Sequence, residues 1–394
     1  MKKNIVIIGN YGAGNLGDDL LLLGTLKVLK NAYKERDDIH LTVLSAQSEP
    51  ISTIQIVAKI IPSNWEISYL SILPTGIRSY LKGLFGATSK TKSAIKNADL
   101  IIFGGGGLLN PEESRSIAIW GHQIQAAQKL APNAFITLIG QSFPKLAQSH
   151  CHNKLFKLLT IPDLIIVRDP NSEKNLKELF KTSYHRNRII PHLKRSSDLA
   201  LLLNTELTEL LKNDEHNKKN HLNNYFALNL RSYNKIDQQK LFSVANTIVS
   251  EITEHTGAKI ILFPYAKEDQ KQLLGFYNQL TKETQKKCKV ANELNLVETL
   301  NLINNSLGVI SMRLHGLITA ICLKKKVLAL SYSSKVNSEI NPQEEIQTIE
   351  LCDEKLDMQE IVSTTQKFLK QNEPEKLDSQ GSLEYYSSFL PNLD

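Results

Sequence analysis

The chain has 394 residues with 41% hydrophobic content and a formal net charge of +7. This length accommodates two α/β domains of ordinary size, and no stretch approaches the roughly 20 apolar residues needed to span a bilayer. The basic start "MKKNIVIIGN" has too short an apolar run for a signal peptide and is predicted to form a first strand.

Short apolar runs alternate with longer amphipathic stretches, first over the N-terminal half and again over the C-terminal half. Each run is predicted to be a buried strand and each amphipathic stretch a helix, which is the pattern of a parallel, doubly wound sheet. The strands are "NIVIIG", "HLTVLSA", "DLIIFGGGG", "AFITLIG" and "DLIIVRD", then "YFALNLR", "AKIILFPY", "KVAN", "LGVIS" and "KVLALSY". The sequence therefore predicts an α/β protein with two Rossmann-like doubly wound domains, at residues 1–205 and 222–370. A charge-rich linker is expected at 206–221, and the tail at 371–394 has the first domain as its candidate packing partner.

The turn after the first strand contains Gly12-x-Gly14-x-x-Gly17, the glycine spacing of a dinucleotide-binding turn. In dinucleotide folds the first glycine follows the strand directly, and an acidic residue ends the second strand. Here two residues intervene before the first glycine, and the second strand ends in "LSAQ" without a carboxylate. Asp18 and Asp19 near the helix start disfavour a polyanion, whereas carboxylates accept hydrogen bonds well from hydroxyl groups. The turn therefore favours a neutral, polyhydroxylated ligand, the alternative being that both carboxylates only cap the helix.

A second glycine run, Gly104–Gly107 in "FGGGGLLNPEESRS", follows the strand predicted at 99–103. Consecutive glycines permit unusual φ angles and a close approach of the backbone to a ligand. They lie at the carboxyl end of the predicted sheet, where α/β proteins bind their ligands. We expect Arg115, a few residues further on, to reach the same site, while the alternative for the glycines is a tight turn alone.

Cationic residues follow several strands of the second half. "GVISMRLHGLITA" places Arg313 and His315 directly after a buried strand, where a helix begins, and a helix start with an arginine is suited to anions. Other strand ends carry Arg231 in "ALNLRSY", Lys335 in "LSYSSKV" and Asp269 in "FPYAKEDQ". A lone histidine is usually structural, but the arginine beside His315 favours a functional role. Because the carboxyl ends of parallel strands share one edge of a sheet, the two arginines, the lysine and the histidine are expected to converge on a small dianion or trianion.

Several motifs of this chain occur together in one known protein family. A glycine-rich turn of the form G-x-x-N-x-G-D is present as "GAGNLGDD", a four-glycine motif as "GGGGLLNP", and an R-D-x-x-S motif as "VRDPNSEKNL". A short Asp motif is matched by Asp198 in "SSDLALLL". An R-L-H motif, followed by a small-apolar helix and a Y-x-x-K segment, is present as Arg313, Leu314, His315, Tyr332 and Lys335. Over almost its whole length the chain thus resembles the polysaccharide pyruvyl transferase family, from which it departs in the leucines after Asp19, while Asn110 lies at a variable position.

The resemblance implies a two-domain fold of the GT-B glycosyltransferase type, with the active site in the cleft between the domains. It implies an enzyme that transfers the enolpyruvyl group of phosphoenolpyruvate to sugar hydroxyls of a cell-surface polysaccharide or its lipid-linked precursor. The products are a pyruvate ketal and inorganic phosphate, and neither a metal nor a nucleotide cofactor is implied. His315 is the candidate general acid, and Asp18 is the candidate group that orients or deprotonates a sugar hydroxyl. The donor-binding residues are Arg231, Arg313 and Lys335, and the acceptor-binding residues are Asn15, Gly17, Asp19, Gly105, Gly106 and Arg115.

Two other functions are compatible with such a fold. The first is a GT-B nucleotide-sugar glycosyltransferase, in which Glu293 or Glu298 would hold the ribose of the donor. The second is a non-catalytic sugar- or phosphate-binding protein, against which the complete set of R-L-H and lysine argues. The mass of the product separates the first alternative, because a ketal adds pyruvate minus water and a glycosyltransferase adds a hexose.

The charge pattern predicts where the protein works. A positive net charge favours anionic partners, but a nucleic-acid duplex would need a wide basic face, so no nucleic acid is expected as a partner. No acidic residue lies between Glu66 and Asp99. The basic residues of this interval are interleaved with Leu81, Leu84 and Phe85, and they are Arg78, Lys82, Lys90, Lys92 and Lys96. A surface helix with this composition can rest on anionic lipid, the alternative being a solvated helix. The four cysteines are widely spaced and fit reduced thiols, so we predict a cytoplasmic protein. The basic stretch adds the prediction of peripheral contact with the inner face of the membrane.

Overall fold

The computed structural model describes residues 2–45, 54–75, 87–110, 114–144, 152–182, 190–212, 224–292, 294–332, 346–374 and 379–393. The chain divides into two compact units. The first consists of Met1–Ala13, Asp18–Leu202 and Ser379–Asp394, and the second of Gly14–Gly17 and Leu203–Asp378. Four residues of the first glycine-rich turn therefore belong to the second unit. A single division of the chain at a linker would have assigned them to the first.

The first unit contains a seven-stranded sheet in which every described strand pairing is parallel. Its strands are β1 (Lys3–Ile8), β2 (Ile39–Ser45), β3 (Glu66–Ser71), β4 (Leu100–Phe103), β5 (Phe135–Gln141), β6 (Leu164–Val167) and β7 (His192–Arg195), in the spatial order β3-β2-β1-β4-β5-β6-β7. The helices that follow the strands are α1 (Leu16–Ala32), α2 (Ile54–Ile60), α3 (Ala87–Lys96), α4 (Ser114–Leu130), α5 (His152–Leu159) and α6 (Pro170–Thr182), with a 3-10 turn at Leu199–Leu203. The apolar side chains of the central strands β1 and β4 are buried, as expected for strands covered on both faces.

The second unit repeats this plan with a six-stranded parallel sheet. Its strands are β8 (Tyr225–Asn229), β9 (Lys259–Leu262), β10 (Cys288–Val290), β11 (Val309–Ser311), β12 (Val327–Ser331) and β13 (Gln347–Glu350), in the order β10-β9-β8-β11-β12-β13. Its helices are α7 (Asn204–Lys212), α8 (Gln238–Thr256), α9 (Asp269–Gln279), α10 (Lys282–Lys287), α11 (Leu296–Asn304), α12 (Leu314–Cys322) and α13 (Met358–Lys370). The longest of them, α8, begins after Asp237, whose side chain accepts the Lys240 N–H, and ends at Gly257 with a φ of 65°, so both of its ends are capped.

Each sheet has one point at which the chain changes direction across the sheet. In the first sheet β1 lies between β2 and β4, and in the second sheet β8 lies between β9 and β11. In doubly wound folds, ligands bind beyond the carboxyl ends of the strands at this switch point. The two glycine-rich turns follow β1 and β4, while the motifs with Arg231 and Arg313 follow β8 and β11. The predicted α/β class with two doubly wound sheets is therefore confirmed, and the motifs lie at the switch points.

The regions predicted as linker and tail have defined structure where they are described. Residues 206–212 continue helix α7 of the second unit, while 213–223 lie outside the described residues. The C-terminal helix α14 (Gln380–Ser388) belongs to the first unit. The buried Tyr386 of this helix donates its hydroxyl to the carbonyl of Ser197 at 2.7 Å. After the helix, the carbonyl of Pro391 accepts the Tyr33 hydroxyl at 2.8 Å.

The predicted lipid-binding helix is described only in part. Helix α3 exposes Lys90, Lys92 and Lys96 and buries Thr91 and Ile95. The remaining residues of that prediction lie outside the described ranges: Arg78, Leu81, Lys82, Leu84 and Phe85. None of the described helices is long and apolar enough to cross a bilayer. Contact with anionic lipid stays a prediction.

Candidate functional site

The R-L-H motif lies at the turn from β11 into α12. Arg313 occupies the position before the helix, and His315, which is half-buried, lies in the first helical turn. The Ser311 hydroxyl holds this turn, because it accepts the backbone N–H of Arg313 at 2.9 Å and donates to the Arg313 carbonyl at 3.0 Å. A Cβ on Gly316 would lie 2.7 Å from the same hydroxyl, so glycine allows the helix to start this close to the strand. The sequence of the turn thus presents Arg313 and His315 at the carboxyl edge of the second sheet.

Arg313 is held by two carboxylates, one buried and one exposed. Its Nε lies 3.2 Å from both carboxylate oxygens of Asp269, and its Nη2 lies 2.6 Å from Asp269 Oδ1 and 2.6 Å from Glu268 Oε1. The Asp269 side chain is fully buried, whereas that of Glu268 is 68% exposed. Burial by itself would lower the pKa of Arg313, but the bonds to Asp269 and Glu268 outweigh it and raise that pKa, so the guanidinium stays charged. These bonds use Nε and Nη2, and Nη1 takes no part in them.

Asp269 connects Arg313 to the neighbouring strand ends. Its Oδ2 accepts the backbone N–H groups of Tyr265 at 3.1 Å and Ala266 at 3.0 Å. The same oxygen accepts the side-chain amide of Asn229, at the end of β8, at 3.1 Å. Because a buried carboxylate has to be compensated by donors, this set of bonds explains why an acidic residue occupies the start of α9. One side chain therefore joins β8, the turn after β9 and the R-L-H turn.

Arg231 lies beside the tyrosine that follows β12. Its Nη1 donates to the Tyr332 hydroxyl at 3.2 Å, and its guanidinium carbon lies 5.4 Å from the centre of the Tyr332 ring. Its Nη2 lies 3.8 Å from Glu268 Oε1, the same oxygen that Arg313 binds. The Nε of Arg231 is buried and has no hydrogen-bond acceptor among the described residues. The two arginines of the predicted donor set thus meet at one carboxylate, while Lys335, the third member, lies outside the described ranges.

The segment Gly14–Gly17 packs inside the second unit, beside His315. An antiparallel bridge pairs Asn15 with Ala266, and two backbone hydrogen bonds of 3.2 and 3.0 Å tie the segment to residues 265–267. The Asn15 side chain accepts the Gly17 N–H at 3.2 Å, as an N-cap of helix α1 does. A Cβ on Gly17 would overlap Nδ1 of the His315 ring. Glycine is therefore required at position 17 by the imidazole that lies against it.

Asp18 and Asp19 lie in the first turn of α1, within the first unit. Asp19 is buried and accepts the Gly12 N–H at 2.9 Å, whereas Asp18 is half-buried and accepts the Asn10 side-chain amide at 2.9 Å. Burial raises the pKa of Asp19 to about 6, the bond from Gly12 opposes that rise, and the charge of Asp18 adds to it. Asp19 therefore holds the glycine-rich turn in place, and Asp18 is the more accessible of the two carboxylates.

Packing within the first unit accounts for the first half of the second glycine run. A Cβ on Gly104 would overlap the hydroxyl of Tyr11, which is buried. A Cβ on Gly105 would lie 2.9 Å from the side chain of Leu21. The close approach that these glycines permit is made by protein side chains. The contact of Gly105 with an acceptor stays a prediction.

The second half of the glycine run lies beside Asp18. Gly106 has a φ of 105°, a conformation that favours glycine, and a Cβ there would lie 3.8 Å from Asp18 Oδ1. Gly107 is exposed, and no atom lies within 4 Å of the position of its Cβ. Arg115 is exposed on α4 and makes no ion pair with the residues that the structure describes. Gly106 of the predicted acceptor set thus lies close to Asp18, the candidate group for orienting a sugar hydroxyl, within the first unit.

The pKa of Asp19 makes the stability of the protein depend on pH. The pKa of an aspartate in an unfolded chain is about 3.9. Between this pH and about 6, the folded state therefore binds the proton of Asp19 more tightly than the unfolded state does. The stabilising contribution of this group is therefore present at low pH and is lost as the pH rises through 6. Asp19→Asn keeps an oxygen for the Gly12 N–H but has no titrating group. The free energy of unfolding of this variant, measured relative to that of wild type, should therefore rise by about 2 kcal/mol from pH 4 to pH 7.5.

Urea denaturation of both proteins at the two pH values measures this difference. Asp353→Asn, at an exposed aspartate of the second unit, is the control and should show no such gain. A stability difference between Asp19→Asn and wild type that does not change with pH would contradict the raised pKa.

Two further motifs form a buried network in the first unit. Arg168 Nη1 pairs with Asp198 Oδ2 at 2.8 Å, and both side chains are almost completely buried. Asp169 accepts the Ser172 N–H at 2.9 Å near the start of α6, and the Ser172 hydroxyl accepts the Phe143 N–H at 2.7 Å. These residues link the ends of β5 and β6 to α6, which gives both motifs a structural role.

The described residues include no cluster for a metal ion and only one of the two candidate glutamates for a ribose. Among the residues that the structure describes, no group of three or more His, Cys, Asp or Glu side chains is placed to hold a metal ion. Glu298 is exposed and closes a capping box with Asn295 at the start of α11, so its carboxylate has a structural role. Glu293 lies outside the described ranges.

Sequence reasoning missed the residues that orient the two arginines. Glu268 and Ser311 were not predicted, and neither was the packing of Gly17 on His315. The only local signal for Glu268 is the acidic pair in "AKEDQ", directly after a strand whose carboxyl end faces cationic side chains. Charge complementarity at a shared sheet edge is what would have indicated its role.

The fold and the switch-point motifs define an α/β protein of the GT-B type. Among solved structures, UDP-GlcNAc 2-epimerase from Methanocaldococcus jannaschii is similar with a TM-score of 0.62 and 13% identity, over 97% of this chain and 98% of that chain. UDP-GlcNAc 2-epimerase from Neisseria meningitidis bound to UDP-GlcNAc is similar with a TM-score of 0.62 and 10% identity, over 98% of each chain. Likeness at this identity shows the fold alone, and no curated protein sequence matches the chain.

The model of one protein family matches most of the chain. It is that of polysaccharide pyruvyl transferase, and the match covers residues 15–334. This chain belongs to the polysaccharide pyruvyl transferase family. The match begins at Asn15 in the first glycine-rich turn and includes the R-L-H motif and Tyr332. The family predicted from the motifs is therefore confirmed.

Proposed function

We propose that this protein transfers the enolpyruvyl group of phosphoenolpyruvate to two hydroxyls of a saccharide, forming a pyruvate ketal and releasing phosphate. The acceptor is a cell-surface polysaccharide or its lipid-linked precursor. The observation that carries the proposal is the meeting of Arg231 and Arg313 at one exposed carboxylate beside the R-L-H turn. Membership of the family supports pyruvyl transfer, and paired guanidinium groups suit a donor that has both a carboxylate and a phosphate.

The two arginines have different roles in this proposal. Arg231 is the better placed for direct contact with the donor, because 26% of its side chain is exposed and its Nε has no acceptor among the described residues. Arg313 is 10% exposed and is fixed by the buried Asp269, so it supplies a positive charge whose orientation is set before the donor arrives. Lys335 completes the proposed donor set.

His315 is proposed as the general acid. Its imidazole gives a proton to the methylene carbon C3 of the donor, and positive charge develops at C2. The oxygen of the first sugar hydroxyl bonds to C2 and loses its proton, and the bond from C2 to the phosphate oxygen breaks with the electron pair leaving on phosphate. The second hydroxyl then adds to C2, loses its proton and closes the ketal. The bound anions stabilise the protonated imidazolium before the transfer, and no step uses a metal or a nucleotide cofactor.

Asp18 is proposed to orient or deprotonate the attacking hydroxyl. It is half-buried, it is held by the Asn10 amide, and it lies beside Gly106. Carboxylates accept hydrogen bonds from hydroxyls, which suits a sugar at this position. The other proposed acceptor residues are Asp19, Gly105, Gly106 and Arg115 in the first unit and Asn15 and Gly17 in the second.

The mass of the product tests the proposed function. The protein is incubated with phosphoenolpyruvate and a panel of saccharides, and each product is analysed by mass spectrometry. An acceptor that gains pyruvate minus water, with phosphate released only when donor and acceptor are both present, supports the proposal. Gain of a hexose from a nucleotide sugar, without any reaction of phosphoenolpyruvate, would support the glycosyltransferase alternative instead.

Replacing Gly17 tests the packing of the N-terminal segment on His315. In Gly17→Ala the new methyl group overlaps the imidazole, so either the ring or the segment has to move. A displacement of about 1 Å costs on the order of 100-fold in rate, and kcat for ketal formation should fall by roughly that factor. Gly381→Ala is the matched control, because no atom lies within 4 Å of a Cβ at Gly381. Normal turnover by Gly17→Ala would show that the position of the imidazole is not critical.

A further inference from the structure

Glu268 bridges the two arginines of the proposed donor site. Its Oε1 lies 2.6 Å from Nη2 of Arg313 and 3.8 Å from Nη2 of Arg231. Although Glu268 occupies the position before α9, its side chain makes no capping bond to that helix. The carboxylate is therefore directed to the arginines and not to the backbone.

The two carboxylates that bind Arg313, those of Asp269 and Glu268, differ in how easily a ligand can displace them. Asp269 is fully buried and is also bonded by the backbone of Tyr265 and by the amide of Asn229, so its removal would leave several buried donors without an acceptor. Glu268 is 68% exposed, and exposed ion pairs are weak because water replaces the lost partner. The bond from Arg313 lowers the pKa of Glu268, which keeps it anionic at neutral pH.

We infer that Glu268 is an affinity-determining residue: an internal counter-ion that holds Arg231 and Arg313 and that an anionic ligand has to displace. With Glu268 in place, two guanidinium groups face two carboxylates, and the described cluster has no net charge. When Glu268 swings away into solvent, the cluster gains a net positive charge at the two arginines. The inference rests on the proposed function only in taking phosphoenolpyruvate as the physiological anion.

A carboxylate of the protein that competes for the two guanidinium groups weakens the binding of every anion that needs both of them, and it does so by the same factor. The apparent dissociation constant equals the intrinsic constant divided by the fraction of molecules in which the arginines are free. The binding of phosphoenolpyruvate and of the product phosphate is therefore weakened alike. The return of Glu268 to the arginines favours release of the phosphate. The ratio of the two affinities does not depend on Glu268.

Titration calorimetry with inorganic phosphate and with phosphoenolpyruvate tests the inference. In Glu268→Gln the amide competes poorly for guanidinium groups, so the dissociation constants of both anions should fall by a common factor of about five. Glu254→Gln is the matched control, because it removes one negative charge from an exposed position of α8 that contacts neither arginine, and it should leave both constants unchanged. A residue with a merely structural role would weaken binding when it is replaced.

The outcomes separate this inference from the proposed function. Tighter binding of both anions supports the counter-ion role of Glu268. Tighter binding of phosphate, with no binding of phosphoenolpyruvate to either protein, supports that role and removes the proposed donor. Unchanged or weaker binding of phosphate in Glu268→Gln overturns the inference, and the proposed reaction is then judged by the mass of its product alone.

Discussion

Replacement of His315 by alanine is expected to slow ketal formation strongly while phosphoenolpyruvate still binds. Removal of a general acid costs about 10²- to 10⁴-fold in rate. The groups proposed to hold the donor remain, because Arg313 is fixed by Asp269, and Arg231 is bonded to Tyr332. We therefore expect kcat to fall by at least about 100-fold, with a dissociation constant for the donor within a few-fold of wild type.

The measurement combines mass-detected product with calorimetric titration of the donor. His255→Ala serves as the control, because His255 is an exposed histidine of α8 whose Nδ1 lies 3.5 Å from a carboxylate oxygen of Glu251, and its loss should leave kcat unchanged. Ketal formation by His315→Ala at a near-normal rate would rule out the acid role. Loss of donor binding in that variant would instead show that the imidazole holds the donor.

The central strands could be predicted from the sequence, and three edge strands could not. Strands β1 and β4 are continuous apolar runs because helices cover both of their faces. The unpredicted strands β3, β7 and β13 each lie at an edge of a sheet and are mostly half-exposed. Their sequences "EISYLS", "HLKR" and "QTIE" mix polar with apolar residues, so they lack the apolar run that identifies a buried strand. Pairing with a neighbouring strand, and not local pattern, determines their conformation.

The cationic part of the site could be predicted because it depends on strand ends. Arg231 and Arg313 follow β8 and β11, which are neighbours in a parallel sheet, so their proximity follows from the topology. The contact of Gly17 with His315 could not be predicted, because it joins residues far apart in the sequence through the tertiary fold. The glycine spacing at that turn indicated close approach to a ligand, whereas at Gly17 the group in close approach is the imidazole of the protein itself.

Asp269→Asn is expected to be strongly destabilising, because every hydrogen-bond partner of this carboxylate among the described residues is a donor. They are the Arg313 guanidinium, the Asn229 amide and the backbone N–H groups of Tyr265 and Ala266. An asparagine would direct its own N–H groups at one of these donors in either orientation, and among the described residues the exposed Glu268 would be the carboxylate that remains on Arg313. Breaking a buried ion pair by removing one partner costs about 3–5 kcal/mol. For a unit of this size that corresponds to a fall in melting temperature of roughly 6–20 °C.

Calorimetry and urea denaturation of the Asp269→Asn variant measure this loss of stability. Glu268→Gln is the matched control, because it removes the exposed carboxylate from the same guanidinium and should cost at most about 1 kcal/mol. Combining Asp269→Asn with Arg313→Met closes a double-mutant cycle, and the two losses should be non-additive by about 1–3 kcal/mol because the side chains share one contact. Near-wild-type stability of Asp269→Asn would mean that other groups hold Arg313. The proposed division between a buried carboxylate that fixes Arg313 and an exposed one that yields to the ligand would then be lost.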